Sequence, residues 1–143
     1  MTTSRTSPDE RPLTDRDFQA LARFRTGLRR FLAFSENAAR TEGITPAHHQ
    51  LLLAVRGHPD DGSPSISDIA EALQRRRHSI VELVDRAEAH GLVTSEHDPD
   101  DLRRRLITLT PEATAIIERL SASHRRELKS ARADLNQILD DLA

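Results

Sequence analysis

Arg75-Arg76-Arg77-His78-Ser79-Ile80-Val81-Glu82-Leu83-Val84-Asp85-Arg86-Ala87-Glu88-Ala89-His90-Gly91 is the stretch that decides the fold. Its apolar residues fall at Ile80, Leu83, Val84 and Ala87. That i, i+3, i+4, i+7 spacing marks one buried face of a helix. Gly91 offers a stop where a left-handed residue costs least. The stretch reads as a core-anchored helix that opens with three arginines and a histidine. Helix N-termini attract anions, because their first N–H groups are unpaired and the dipole points that way. Guanidinium groups there make a phosphate-seeking tip, the end that DNA recognition helices place in the major groove. A solvated, charged helix end fits this stretch equally well.

The flanks narrow the choice. Upstream, Ser65 or Ser67 can cap a short helix carrying Ile69, Ala70 and Leu73. Little chain separates Leu73 from Arg77, so the two helices form a helix-turn-helix. Downstream, Leu92-Val93-Thr94 is extended, residues 97–101 turn on Pro99 and three aspartates, and Leu106-Ile107-Thr108-Leu109 is extended again. These make a hairpin whose loop and return strand carry Arg103, Arg104 and Arg105. Helix-turn-helix followed by a basic hairpin is a winged helix. The helix enters the major groove and the wing reaches the minor groove, where arginine suits the concentrated negative potential.

Further out, Thr45-Pro46 is a cap followed by a first-turn proline, and its helix carries Leu51, Leu52 and Val55 to Gly57. Thr14 or Asp15 starts a helix to about Thr41, with Phe18, Leu21, Leu28, Phe31 and Leu32 near a 3.6 period. Phe24 and Phe34 lie off that face, so the helix is apolar on more than one side and is expected to be sandwiched in a core or against a second subunit. Thr110-Pro111-Glu112 begins a segment without Gly or Pro that keeps helical spacing from Ala113 to Leu142. It reads as one long helix, or as two bent within residues 123–130. Residues 1–13 read as a disordered tail.

Composition bounds the function. A chain of 143 residues, 31% charged and 36% apolar, suits one helix-rich domain. Four Phe with no Trp or Tyr argue against a stacking platform for single-stranded nucleic acid. The net charge of −2 does not advertise nucleic-acid binding, but local patches rather than the sum set the field. Without cysteine there is no disulfide, zinc-thiolate site or thiol sensor, so any sensing is expected to be by ligand. No run approaches a membrane span and no signal-peptide core is visible, which makes a cytoplasmic location the default. No Ser/His/Asp order, phosphate-binding glycine loop or apolar carboxylate pair points to an enzyme, and no cofactor or metal is expected.

With these pieces placed, the chain resembles the MarR family of transcriptional regulators. The resemblance runs from about Ile44 to Ile117 through Ile44-Thr45-Pro46, Ser67-Asp68-Ile69-Ala70-Glu71-Ala72-Leu73, Val84-Asp85-Arg86-Ala87-Glu88, Gly91-Leu92-Val93, Asp98-Pro99-Asp100-Asp101-Leu102-Arg103 and Leu109-Thr110. It implies a mainly α fold with a small β-hairpin: a winged helix-turn-helix lobe over 44–110 with dimerisation helices over 14–43 and 111–143, in one domain. It also implies a homodimer on a pseudo-palindromic operator in duplex DNA, usually repressing and often released by a small aromatic or anionic ligand. By position, Arg77, His78, Ser79 and Val81 fall on the groove-facing part of the recognition helix. Arg103 falls on the wing-tip arginine and Asp101 on the aspartate that orients it. Arg75, Arg76, Arg104 and Arg105 complete the expected DNA-binding set, with Arg104 and Arg105 nearer phosphate or packed on the wing. The chain departs from the family in having Arg75 where an apolar residue is common, Arg76 where a small cap is common, Glu82 for a basic or polar residue, and Leu102 for one of the paired wing arginines.

Several residues admit two readings. Glu82 can accept from a cytosine amine or pair with Arg86 at i, i+4. Asp101 can orient Arg103 or simply form the turn. His48, His49 and His58 lack the supporting ligands of a metal site and are expected to be exposed helix histidines. Phe31, Phe34 and His49 are candidates to line a ligand pocket, though core packing explains the two phenylalanines as well. A winged-helix module for protein interaction is the alternative to DNA binding.

Overall fold

The computed structural model describes residues 11–142. The described residues form α1 (Asp15–Thr41), α2 (Pro46–Arg56), α3 (Ile66–Leu73), α4 (Arg77–Ala89), β1 (Val93–His97), β2 (Arg105–Leu109), α5 (Pro111–Ser130) and α6 (Arg132–Leu142). Mainly helical with one antiparallel hairpin, this is a winged helix. The C-terminal segment is two helices, divided after Ser130. Most of the expected tail, residues 1–10, lies outside the described residues. Arg11, expected in that tail, instead grips Asp17 with two hydrogen bonds of 2.8 Å.

The chain divides into two compact units, one of residues 34–125 and one of residues up to 33 with those from 126 onward. In the first, each helix boundary has a local cause. Thr45 Oγ1 accepts from the His48 N–H at 3.0 Å and Pro46 opens α2. Ser65, rather than Ser67, caps α3: its hydroxyl accepts from the Asp68 N–H at 3.1 Å while the Asp68 carboxylate accepts from the Ser65 N–H at 2.9 Å. Gln74 ends α3 in the left-handed region at φ 53°. Past α4, Gly91 takes φ +73° and lets the Leu92 N–H reach the Ala87 carbonyl at 2.9 Å.

The core of this unit gathers Leu51, Leu52, Ile66, Ile69, Ile80, Leu83, Val84, Val93, Ile107, Ile116, Ile117 and Leu120, all buried. The hairpin pairs Val93 with Leu109 and His97 with Arg105. Its inner edge is sewn to the chain before α3, because the Ile107 N–H donates to the Pro64 carbonyl at 2.9 Å and Ser65 bridges Leu106. Thr110 fixes the next turn: its hydroxyl donates to the Gly91 carbonyl at 2.7 Å and accepts from the Ala113 N–H at 3.2 Å, capping α5.

In the second unit Asp17 is buried and satisfied by Arg11 and by the Thr14 N–H and hydroxyl. These bonds, the Arg11 guanidinium first, hold its carboxyl well below the usual carboxylate range. Arg11 also donates to the Leu142 carbonyl at 3.2 Å, and Asp141 accepts from Arg16, Arg23 and Gln137, which ties α6 to α1. Ala20 and Ile138 are buried there, yet Phe18, Leu21, Phe24, Leu28, Leu32, Leu128, Leu135 and Leu139 are exposed.

Candidate nucleic-acid interface

Burial of Ile80, Leu83, Val84 and Ala87 fixes the rotation of α4 and leaves His78, Glu82, Asp85 and Arg86 exposed. The sequence pattern opens the helix with all three arginines; only Arg77 lies within it. Arg76 is the N-cap residue, and its side chain makes no capping bond. Arg75 belongs to the turn, where its N–H donates to the Ala70 carbonyl at 3.0 Å. The α3 cap at Gln74 therefore sets where the cationic tip begins. Arg75, Arg76, Arg77 and His78 are exposed, while Ser79 is half-buried. Val81 is half-buried too and packs on the core. Among the described residues no carboxylate pairs with Arg75, Arg76 or Arg77; Arg77 donates to the Ser67 hydroxyl at 2.6 Å. Glu82 pairs with Arg86 at 3.7 Å.

The wing tip is a chain of short turns. The Asp98 N–H donates to the Arg104 carbonyl at 2.9 Å, and the Arg104 N–H to the Asp101 carbonyl at 2.9 Å. Asp101 sits in the turn and also bonds Arg103: its carboxylate accepts from the Arg103 N–H at 3.1 Å and from Arg103 Nε at 3.3 Å. The Arg103 side chain is nevertheless 93% exposed. Arg104 and Arg105 are placed differently. Arg104 lies 3.3 Å from Asp98 and 3.6 Å from Asp68. Arg105 donates to Asp85 at 2.8 Å and to Glu88 at 3.2 Å. Sequence reasoning missed these four carboxylates. Asp85 and Glu88 sit three apart on one helix, which was legible; their register against the hairpin was not.

The histidines correct the sequence reading. His48 and His49 are buried, not exposed, because they precede Leu51, Leu52 and Val55 by helical steps and share their inward face. His48 meets His90 edge-on at 5.7 Å, and His49 lies 4.9 Å from His124. Burial foremost, and then the neighbouring ring, pushes both imidazoles below their ordinary pKa. Phe34 also packs edge-on against His124 at 5.2 Å, and His124 Nε2 pairs with the Ser35 hydroxyl at 2.8 Å. Two of the candidate pocket residues, Phe34 and His49, thus converge on His124; Phe31 belongs to the other unit. His124 was missed, although it continues the inward stripe Ala113, Ile117, Leu120 at helical spacing.

Comparison with known proteins agrees with this architecture. Residues 42–104 match the family model described as the MarR family. A candidate transcriptional regulatory protein for the hcr operon of Thauera aromatica is 30% identical over 97 residues, covering 68% of this chain and 57% of the relative. The HTH-type transcriptional repressor MdtR of Bacillus subtilis is 29% identical over 84 residues, covering 59% and 52%. The chain thus spans little more than half the length of these curated relatives. The crystal structure of the MepR–DNA complex of S. aureus superposes with a TM-score of 0.68 at 24% identity, over 78% of this chain and 81% of that one. Residues 42–104 therefore form a lobe of the MarR family, and the winged-helix architecture of the described residues agrees with that match.

Proposed function

We propose that the chain is a dimeric, sequence-specific regulator of transcription, a cytoplasmic repressor that binds a pseudo-palindromic operator in duplex DNA. The observation that carries this reading is the pair of exposed cationic points on one lobe. Among the described residues Arg75, Arg76 and Arg77 stand at the start of α4 without carboxylate partners, and Arg103 stands almost fully exposed at the wing tip. On the wing, Arg103 reaches Asp101 alone with an exposed side chain, whereas Arg104 and Arg105 each hold two carboxylates. A DNA backbone supplies the anions that this tip lacks. The complex of MepR with DNA and the repressor MdtR are consistent with the same use of the fold in other chains.

Two further features support the dimer and the ligand. Phe18, Leu21, Phe24, Leu28 and Leu32 on α1, and Leu135 and Leu139 on α6, are large apolar side chains left exposed, a surface that a second copy would cover. Phe34 and His49 both set their rings against His124, at 5.2 and 4.9 Å, an aromatic cluster that a small aromatic ligand could stack on. The test is a gel shift of genomic fragments at moderate salt with excess competitor, repeated with benzoate as probe ligand. Selective retention of a few fragments, reversed by benzoate, is expected. Failure to select any fragment overturns the reading in favour of a protein-interaction module, and retention indifferent to benzoate and to other small aromatic acids removes the ligand from it.

A further inference from the structure

Three consecutive arginines mark the wing, and two of them are already engaged inside the lobe. Arg104 reaches Asp98 at the end of the hairpin's first strand and Asp68 in the capping box of α3. Arg105 reaches Asp85 and Glu88 on α4 and is only 23% exposed in its side chain. Glu88 is itself a junction, since its carboxylate also accepts from the Ser95 N–H and hydroxyl on β1, each at 3.2 Å. The hairpin is therefore tied to α3 through Arg104 and to α4 through Arg105, the two helices of the helix-turn-helix. Drawing either guanidinium out to a phosphate would leave two carboxylates without their cation beside a polyanion, which like-charge repulsion opposes. Among the described residues Arg103 pairs with Asp101 alone, and it does so with an exposed side chain.

We propose that Arg104 and Arg105 are positioning residues: they clamp the wing to α3 and α4 and leave Arg103 as the one wing arginine presented to DNA. The clamp stands on the free protein alone; its use in presenting Arg103 rests on the DNA-binding reading above. The clamp narrows the basic surface but sharpens its geometry, because a hairpin fixed at both edges delivers its tip at one angle to the recognition helix. Pre-organisation of this kind lowers the ordering cost of binding.

The experiment uses the full chain with Arg103→Gln, Arg104→Gln, Arg105→Gln and Arg105→Lys, and two readouts. Amide hydrogen exchange of residues 93–109 is measured in the free protein. Exchange in the hairpin is expected to speed up in Arg104→Gln and Arg105→Gln, to return towards the parent in Arg105→Lys, and to stay unchanged in Arg103→Gln. Affinity for a selected operator is then measured against salt. Arg105→Gln should bind about threefold to tenfold more weakly at every salt concentration, on the scale of a small network of partly exposed ion pairs, with an unchanged log–log slope. Arg103→Gln should flatten the slope. Hairpin exchange indifferent to Arg104 and Arg105, or a slope that falls by about 0.9 per lost contact in Arg105→Gln, would overturn the proposal. Should the parent bind no duplex, the DNA-binding reading falls while the exchange readout still decides the clamp.

Discussion

Replacing Arg76 and Arg77 together by alanine is the perturbation whose outcome the structure defines best. Both side chains are exposed, and among the described residues neither holds a carboxylate. Arg76 makes no capping bond and Arg77 donates to the Ser67 hydroxyl at 2.6 Å. Removing them therefore costs the fold little. It removes cations from the positive end of the α4 dipole, which should favour the helix by about 0.3–1 kcal/mol. Thermal melting is expected to be unchanged or slightly raised. DNA binding should respond in the opposite sense. With two arginines in each of two protomers, about 3.6 should be lost from the log–log salt slope if each neutralises one phosphate. Between 50 and 200 mM salt the parent should then lose roughly 150-fold more affinity than the variant. Fluorescence anisotropy on one labelled operator across that range measures both lines. Parallel lines, or a variant that melts several degrees lower, would refute the assignment of this tip to phosphate.

Other perturbations follow from single features. Arg103→Ala should weaken operator binding by about 1–3 kcal/mol, the scale of a good groove contact, and equal affinity at moderate salt would remove that contact. His48 and His49 have folded-state pKa values below their ordinary 6.5, so the unfolded chain takes up their protons first. Their contribution to stability is fully present above that value and is lost as pH falls below it. Urea melts should show stability dropping from about pH 7.5 to 5.5, less steeply in His49→Gln, and a flat profile across that window in the parent would contradict the burial. Removing residues 131–143 takes away α6 with Ile138 and its apolar neighbours Leu135 and Leu139. Sedimentation should then show loss of dimer and the gel shift a weaker complex, whereas an intact dimer would show that α6 does not hold it.

Much of the fold was legible because local chemistry and long-range packing agree. Thr45-Pro46 announced α2, Gly91 announced the end of α4, and the spacing of Ile80, Leu83, Val84 and Ala87 gave the face that α4 buries. The cationic tip was legible for the same reason, but its start was displaced by the left-handed Gln74, a residue with no strong preference for that conformation. Buried histidines were misread because a polar ring on an apolar helical face needs a partner, and His90, at the end of α4, and His124, on α5, are distant in sequence. The engagement of Arg104 and Arg105 was hidden likewise: an arginine run looks the same whether it faces a phosphate or a carboxylate across a hairpin. The division of the C-terminal segment after Ser130 has no glycine or proline to mark it.

Footprinting on duplex DNA selected from random sequence by the intact protein tests the central claim most directly. A two-fold dimer with one α4 and one wing on each half-site should protect a pseudo-palindrome whose half-sites lie about one turn apart, roughly 10–10.5 base pairs or 34–36 Å between centres. Protection of an isolated half-site by a protein that sediments as a monomer, or no selection of any sequence at moderate salt, would contradict it.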